Sequence, residues 1–371
     1  MTKTSILYPA VIFLSMLLPV LPSAKAASSV TVEALISEMT SMQSMAEFPS
    51  PSYTCKQFSS YDRASKSPDK DWFANGDAGQ FIRVEDGPNG KEYVMMDAQG
   101  PGAIVRIWSA NPAGSIRIYI DGNKEPEIVA PMDQLLGGKF PGLPRPIAGE
   151  YSKGWNLYFP IPYARHCKVT SDKGGFYYHV NYRTYESGVE VQPFERSHIN
   201  ELRSVINRLA EALSNPASLA PSGVPSEFDL EIPPGEKVVN KFEGPAAIVH
   251  SIVSITRGKS DAALRGIILR AQFDGEQCVE VPLGDFFGSA PGINPFESLP
   301  LGMSKQGSMY SQWVMPFKES AVIELWNTTS EAVRLEGKMV VAAYKWTNRS
   351  MHFHAGWRTQ FDVPTRPMID W

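Results

Sequence analysis

Gln99-Gly100-Pro101-Gly102-Ala103-Ile104-Val105 and, further along, Glu243-Gly244-Pro245-Ala246-Ala247-Ile248-Val249 read as one phrase written twice. Each is followed by a short alternating segment that ends in Asp-Gly: Arg117-Ile118-Tyr119-Ile120-Asp121-Gly122 in the first copy, Arg270-Ala271-Gln272-Phe273-Asp274-Gly275 in the second. Each Asp-Gly is followed by a proline and an apolar run, Ala130 to Gly137 and Val281 to Gly288. Each copy then returns through an aromatic stretch to Pro162-Tyr163 or Met315-Pro316-Phe317. An internal repeat fixes the architecture before any single element is assigned. Two copies in matched order mean two related β domains in tandem.

Outward from the repeat, short alternating runs are separated by turn residues. The first unit holds strands at Gly79 to Val84, Tyr93 to Met96, Ala103 to Ser109, Ser115 to Asp121, Asn156 to Ile161, His166 to Ser171 and Phe176 to Arg183. The second holds Val249 to Thr256, Gly266 to Asp274, Cys278 to Pro282, Tyr310 to Val314, Ala321 to Trp326 and Gly337 to Lys345. Regular short strands without βαβ alternation predict an all-β chain of two tandem jelly-roll-like β-sandwiches. Two helices accompany them. A short N-terminal helix places Val32, Leu35, Ile36 and Met39 on one face, with Thr31 as its cap. An inter-domain helix runs from Ser197 to Leu213 and stops at Asn215-Pro216. The predicted segments are 1–26, a signal peptide; 27–57, N-terminal helical; 58–195, first sandwich; 196–226, helix and Pro/Ser/Ala-rich linker; 227–358, second sandwich; and 359–371, a tail or the start of another domain.

Lys3, the apolar run from Tyr8 to Leu21, and Ala24-Lys25-Ala26 have the three parts of a secretory leader. The mature chain is therefore expected in the periplasm or outside the cell, with no membrane attachment once the leader is removed. A net charge of −4 without a basic cluster argues against nucleic acid. Three cysteines, Cys55, Cys167 and Cys278, leave at least one free thiol and show no metal-binding spacing.

Several phrases together carry a resemblance: Ser59-Ser60-Tyr61-Asp62-Arg63, Gly100-Pro101-Gly102, Val281-Pro282-Leu283-Gly284-Asp285-Phe286-Phe287-Gly288, Met315-Pro316-Phe317 and Phe353-His354-Ala355-Gly356-Trp357-Arg358. They resemble glycoside hydrolase family 172. The resemblance implies tandem jelly rolls, assembly into trimers or multiples of them, and a carbohydrate ligand. It further implies retaining hydrolysis of α-D-fructofuranosides, difructose anhydrides or D-arabinofuranosides through two glutamates. In the family those glutamates stand in Trp-Gly-Glu-Gly and Gly-Thr-Glu-Asp-Tyr segments, and neither segment occurs in this sequence. The resemblance therefore implies a furanoside-active enzyme without its catalytic pair in this chain, and no catalytic residue is assigned. The other readings are a non-catalytic carbohydrate-binding or assembly protein, or an extracellular scaffold.

The candidate substrate-binding residues are Asp62, Arg63, Asp285, Trp313, His354 and Trp357. Asp62 and Arg63 pair the strong acceptors and donors that grip sugar hydroxyls, or else close their own loop. Asp285 is either a sugar-facing carboxylate or, the favoured reading, a loop-shaping one that accepts backbone N–H groups. Trp155, Tyr158, Trp313 and Trp357 suit sugar stacking and suit a sandwich core as well. His352 and His354 alternate on a strand, but no third ligand accompanies them, so no metal and no cofactor is assigned. Asp121-Gly122 and Asp274-Gly275 read as hairpin turns.

Overall fold

The computed structural model describes residues 29–67, 74–87, 90–219, 221–289 and 292–363. The leader at 1–26 and most of the tail at 359–371 lie outside the described residues. The chain forms four sheets in two sandwiches. In the first, one sheet runs in the order Tyr53–Ser59, Tyr178–Tyr185, Gly102–Ser109, Gly154–Leu157, Ala148–Tyr151, with Ile161–Tyr163 also on Gly102–Ser109. Its partner sheet runs Arg83–Gly87, Gly90–Gln99, His166–Ser171, Ser115–Ile120, Ile128–Pro131.

The second sandwich repeats this order, without a counterpart of Arg83–Gly87 and with Phe296–Glu297 and Ala355–Gly356 added at sheet ends. One sheet runs Val224–Ile232, Val333–Ala343, Ala246–Arg257, Met309–Ser311, Leu301–Met303, Phe296–Glu297, with Met315–Phe317 on Ala246–Arg257. The other runs Lys237–Glu243, Ser320–Asn327, Ile267–Phe273, Glu276–Pro282, Ala355–Gly356. The pairings are antiparallel except for the short last one, where Val279 and Glu280 lie parallel to Ala355 and Gly356. Alternation produces each core. Every second residue of Ser320–Asn327 is buried, and Ile267, Leu269, Ala271 and Phe273 point inward from their strand. Met95, Met96, Ile104, Ile118, Phe159 and Phe176 fill the first core. Phe273, Phe287, Phe317 and Leu335 fill the second.

The repeated phrases occupy equivalent places. Gly100 and Gly244 each begin a turn with a cis Gly–Pro bond. A Cβ on Gly100 would lie 2.8 Å from the Ala164 carbonyl oxygen, and one on Gly244 would lie 2.7 Å from that of Lys318. Only glycine allows this approach. The Pro-apolar runs each form a strand that ends in proline and passes into a short helix, Met132–Leu136 and Leu283–Phe286.

Eight strands were not expected: the short Phe296–Glu297, Leu301–Met303 and Ala355–Gly356, and the longer Tyr53–Ser59, Ile128–Pro131, Ala148–Tyr151, Lys237–Glu243 and Val224–Ile232, the last at the end of the expected linker. Each of the five longer strands is the end strand of its sheet, and in Tyr53–Ser59, Val224–Ile232 and Lys237–Glu243 the hydrophobic pattern is weak because one side faces solvent. Pro225 is tolerated because its strand pairs on one side only. The helix expected over 197–213 is two pieces, His198–Glu201 and Arg203–Ser214, and Ser197 makes no side-chain cap. Ile206 and Leu209 pack into the first core, so this helix covers the first sandwich.

The N-terminal segment straps the two sandwiches together. Thr31 accepts a hydrogen bond from Ala34 N at 3.1 Å and caps helix Val32–Glu38, whose Val32 and Ile36 enter the first core. The following turn, Met42–Ala46, packs Ala46 against Val249, Val314, Val340 and Tyr344 of the second sandwich. Phe48 N donates to Arg349 O at 2.8 Å and Met351 N to Ala46 O at 2.9 Å, completing the strap.

Candidate functional site

Where the strap crosses between the sandwiches it closes a cleft of about 400 Å³. Five elements supply its polar walls: helix Val32–Glu38, the turn after it, strands Tyr53–Ser59 and Tyr178–Tyr185, and the loop that carries Arg349. Arg183 is the centre of one wall. Its Nη1 and Nη2 donate to the two carboxylate oxygens of Glu38 at 2.8 and 2.9 Å. Its guanidinium also lies 4.1 Å from the centre of the Tyr53 ring. Tyr53 packs edge-on against Tyr185, with ring centres 6.2 Å apart. Burial opposes the charge on Arg183, but the two bonds to Glu38 and its opposite charge outweigh that, so the guanidinium is held charged. Burial raises the Tyr53 and Tyr185 hydroxyls above the usual phenol range, against the pull of Arg183. On the opposite wall Glu47 takes Arg349 Nη2 at 2.7 Å.

Bidentate guanidinium, carboxylates and tyrosine rings in a concave site at a domain junction are the equipment for binding a polar, ring-shaped ligand. Both carboxylates are engaged by arginine. None of these six residues stood out in the sequence, because the strap and the two sandwiches that bring them together are far apart in the chain.

The residues singled out from sequence fall in three places. Asp62 and Arg63 serve their own loop. Asp62 accepts from Ala64 N at 2.9 Å and Gly76 N at 2.8 Å, and these two bonds hold its carboxyl below the usual range. Arg63 donates to the carbonyls of Ser59 and Tyr61 and stacks on the Tyr61 ring at 4.4 Å. Asp285 and Trp357, in contrast, meet on the second sandwich through a residue the sequence did not flag. Arg265 Nη1 donates to Asp285 Oδ2 at 2.5 Å, and its guanidinium lies 5.1 Å from the centre of the Trp357 ring. Asp285 thus takes an arginine rather than the backbone donors expected of it. Trp357 is 42% exposed. Trp313 packs against Phe353, with ring centres 5.6 Å apart, and His354 is exposed.

The two Asp-Gly turns do more than reverse the chain. Asp274 and Gly275 have positive φ and make the two-residue turn of the hairpin Ile267–Phe273 to Glu276–Pro282. The Asp274 carboxylate also accepts from Lys318 N at 2.9 Å, Glu319 N at 2.6 Å and Ser320 N at 3.0 Å, and from His352 Nε2 at 2.9 Å. Partial burial would raise this carboxyl, but those donors dominate and hold it down to about 2.

Residues 51–202 match the family model described as GH172 first beta-sandwich domain. Residues 225–340 match the one described as GH172 domain-like. No curated protein matches the chain. Among solved structures, the major capsid protein P2 of bacteriophage PM2 is 7% identical, with 80% of this chain and 100% of that chain covered and a TM-score of 0.22. A conserved protein of unknown function from Pseudomonas aeruginosa PAO1 is 8% identical over 71% of this chain and 95% of that one, with a TM-score of 0.17.

Proposed function

This chain belongs to the GH172 family through both of its sandwiches, and on that premise we propose that it is an exported, furanoside-recognising glycoside hydrolase-like protein whose described residues bind the sugar without cleaving it. The observation that carries the proposal is the state of the cleft carboxylates. Retaining hydrolysis needs two carboxyl groups about 5 Å apart, one ionised and one able to donate a proton. Glu38 and Glu47 are instead each paired with an arginine, an arrangement suited to holding hydroxyls. On this reading, Arg183, Glu38, Glu47 and Arg349 supply donors and acceptors to the ring hydroxyls, and Tyr53 and Tyr185 supply apolar faces.

Export rests on the leader-like arrangement of Lys3, Tyr8 to Leu21 and Ala24-Lys25-Ala26. Among the described residues no helix is long and apolar enough to cross a membrane. Assembly into trimers or multiples of them is proposed from the family resemblance and is read directly by light scattering on the purified protein.

The test is calorimetric titration of the protein with α-D-fructofuranosyl and D-arabinofuranosyl oligosaccharides, alongside an assay for released reducing sugar. Saturable binding that Arg183→Lys weakens, without sugar release, is expected. Turnover by this 371-residue chain would overturn the non-catalytic assignment, and absence of binding to any furanoside would overturn the recognition one.

A further inference from the structure

We propose that Glu276, Cys278 and His352 form a zinc site that fastens the segment after strand Val333–Ala343 to the hairpin of the second sandwich. Their carboxylate oxygen, Sγ and ring nitrogen all lie within 4.8 Å of one another. His352 Nδ1 is 3.7 Å from Glu276 Oε2. Ligand atoms around a tetrahedral zinc, with bonds of about 2.0–2.3 Å, are separated by about 3.3–3.8 Å. The widest separation therefore has to close by about 1–1.5 Å, and Glu276, whose side chain is 61% exposed on the rim, has room to move.

The surroundings are those of a metal ligand set. A zinc-bound imidazole commonly donates its other ring nitrogen to a carboxylate, which fixes the ring and its tautomer. His352 Nε2 does this to Asp274 Oδ2 at 2.9 Å, which turns Nδ1 toward Glu276. Asp274 is itself immobilised by the three backbone donors of residues 318–320. The His352 ring is held between Trp346, 5.0 Å away, and Phe273, 6.1 Å away. Cys278 is 6% exposed and otherwise donates only a long contact to the Glu276 carbonyl at 3.4 Å. A soft thiolate with imidazole and one carboxylate selects zinc over calcium or magnesium, which take oxygen ligands. Three protein ligands leave the fourth position to water on the exposed side.

The sequence alone pairs His352 with His354. The fold separates them: His354 is exposed, and His352 turns to two residues on the neighbouring hairpin. The first sandwich has the Asp121-Gly122 turn but neither a cysteine nor a histidine just after it, so the site belongs to the second copy alone.

Purified full-length protein is treated with chelator and desalted, and then titrated with Zn²⁺ and, separately, Co²⁺. The expected results are one zinc per chain, a near-ultraviolet thiolate-to-cobalt charge-transfer band, and a rise in melting temperature with zinc. Cys278→Ser should remove the band and weaken zinc binding by about 100-fold or more, and Asp274→Asn should weaken it by about 10-fold. Cys55→Ser, an exposed cysteine elsewhere, should change neither. The Glu276 side chain is 61% exposed, so Glu276→Gln should lower affinity while leaving the circular dichroism spectrum unaltered. Zinc uptake that is the same in wild type, Cys278→Ser and Glu276→Gln, or a cobalt complex with no thiolate band, overturns the site.

Discussion

Asp121 and Asp274 make the same set of bonds in the two sandwiches. Each has positive φ, and each carboxylate accepts three consecutive backbone N–H groups across the sheet, from Ala164, Arg165 and His166 in the first copy and from Lys318, Glu319 and Ser320 in the second. In both, the aspartate N–H reciprocates by donating to the third of those residues, at 2.7 and 2.8 Å. The clamp fixes the hairpin turn against the chain that follows the aromatic return. It explains why Asp, rather than the equally turn-forming Asn, stands in both copies: an amide has one acceptor oxygen where the carboxylate uses two.

For Asp274 this sets a pH dependence. Its carboxyl is held near about 2 in the folded state against 3.8 for the free group. A lowered folded value means that the stabilisation is complete above about pH 4 and is lost as pH falls through 3.8 toward 2, amounting to about 2 kcal/mol. Urea unfolding of wild type and Asp274→Asn, with chelator present, should differ by about that much at pH 6 and converge near pH 2.

Gly100→Ala and Gly244→Ala should each destabilise by about 1–3 kcal/mol, because the added Cβ meets backbone on the neighbouring return segment, which cannot rotate away. Gly356→Ala meets nothing within 4 Å and is the control. Thermal melts of the three variants check the contrast.

The Arg183–Glu38 pair joins the strap to the first sandwich. Arg183→Ala leaves Glu38 without its partner and should cost about 2 kcal/mol, less than for a fully buried pair because the Glu38 side chain is 34% exposed. Limited proteolysis should then cut first within the strap, and cleavage elsewhere would show that the strap is held by its other contacts.

The two tryptophans near Phe353 should part company. Trp313 packs on the second core, so Trp313→Ala should lower stability by about 2–3 kcal/mol. Trp357 is on the surface and outside the core, and Trp357→Ala should stay within about 0.5 kcal/mol of wild type. Chemical denaturation distinguishes them.

Thiol labelling should be selective. Cys55 is exposed on a sheet edge, whereas Cys167 is fully buried and burial pushes its thiol far up. Brief alkylation under native conditions followed by peptide mapping should mark Cys55 and leave Cys167 unmodified until denaturant is added.

The sequence by itself determined the duplication, the β class and the central strands. His166–Ser171 was legible residue for residue, and Ser320–Asn327 nearly so, because a strand with neighbours on both sides and a buried face must alternate. The marginal strands were not legible. Tyr53–Ser59 and Lys237–Glu243 bury one side weakly, and in the second Asn240 falls on the inner side while Val239 faces outward, so their alternation is faint in the chain. Tertiary structure alone decided the chemistry. Arg183 meets Glu38, Arg265 meets Asp285, and His352 meets Glu276 and Cys278 across separations in sequence that no motif spans. Local pattern encodes which face of a strand is buried. Which charged groups become neighbours depends on strand order and on the path of the strap, and these are fixed only when the two cores have formed.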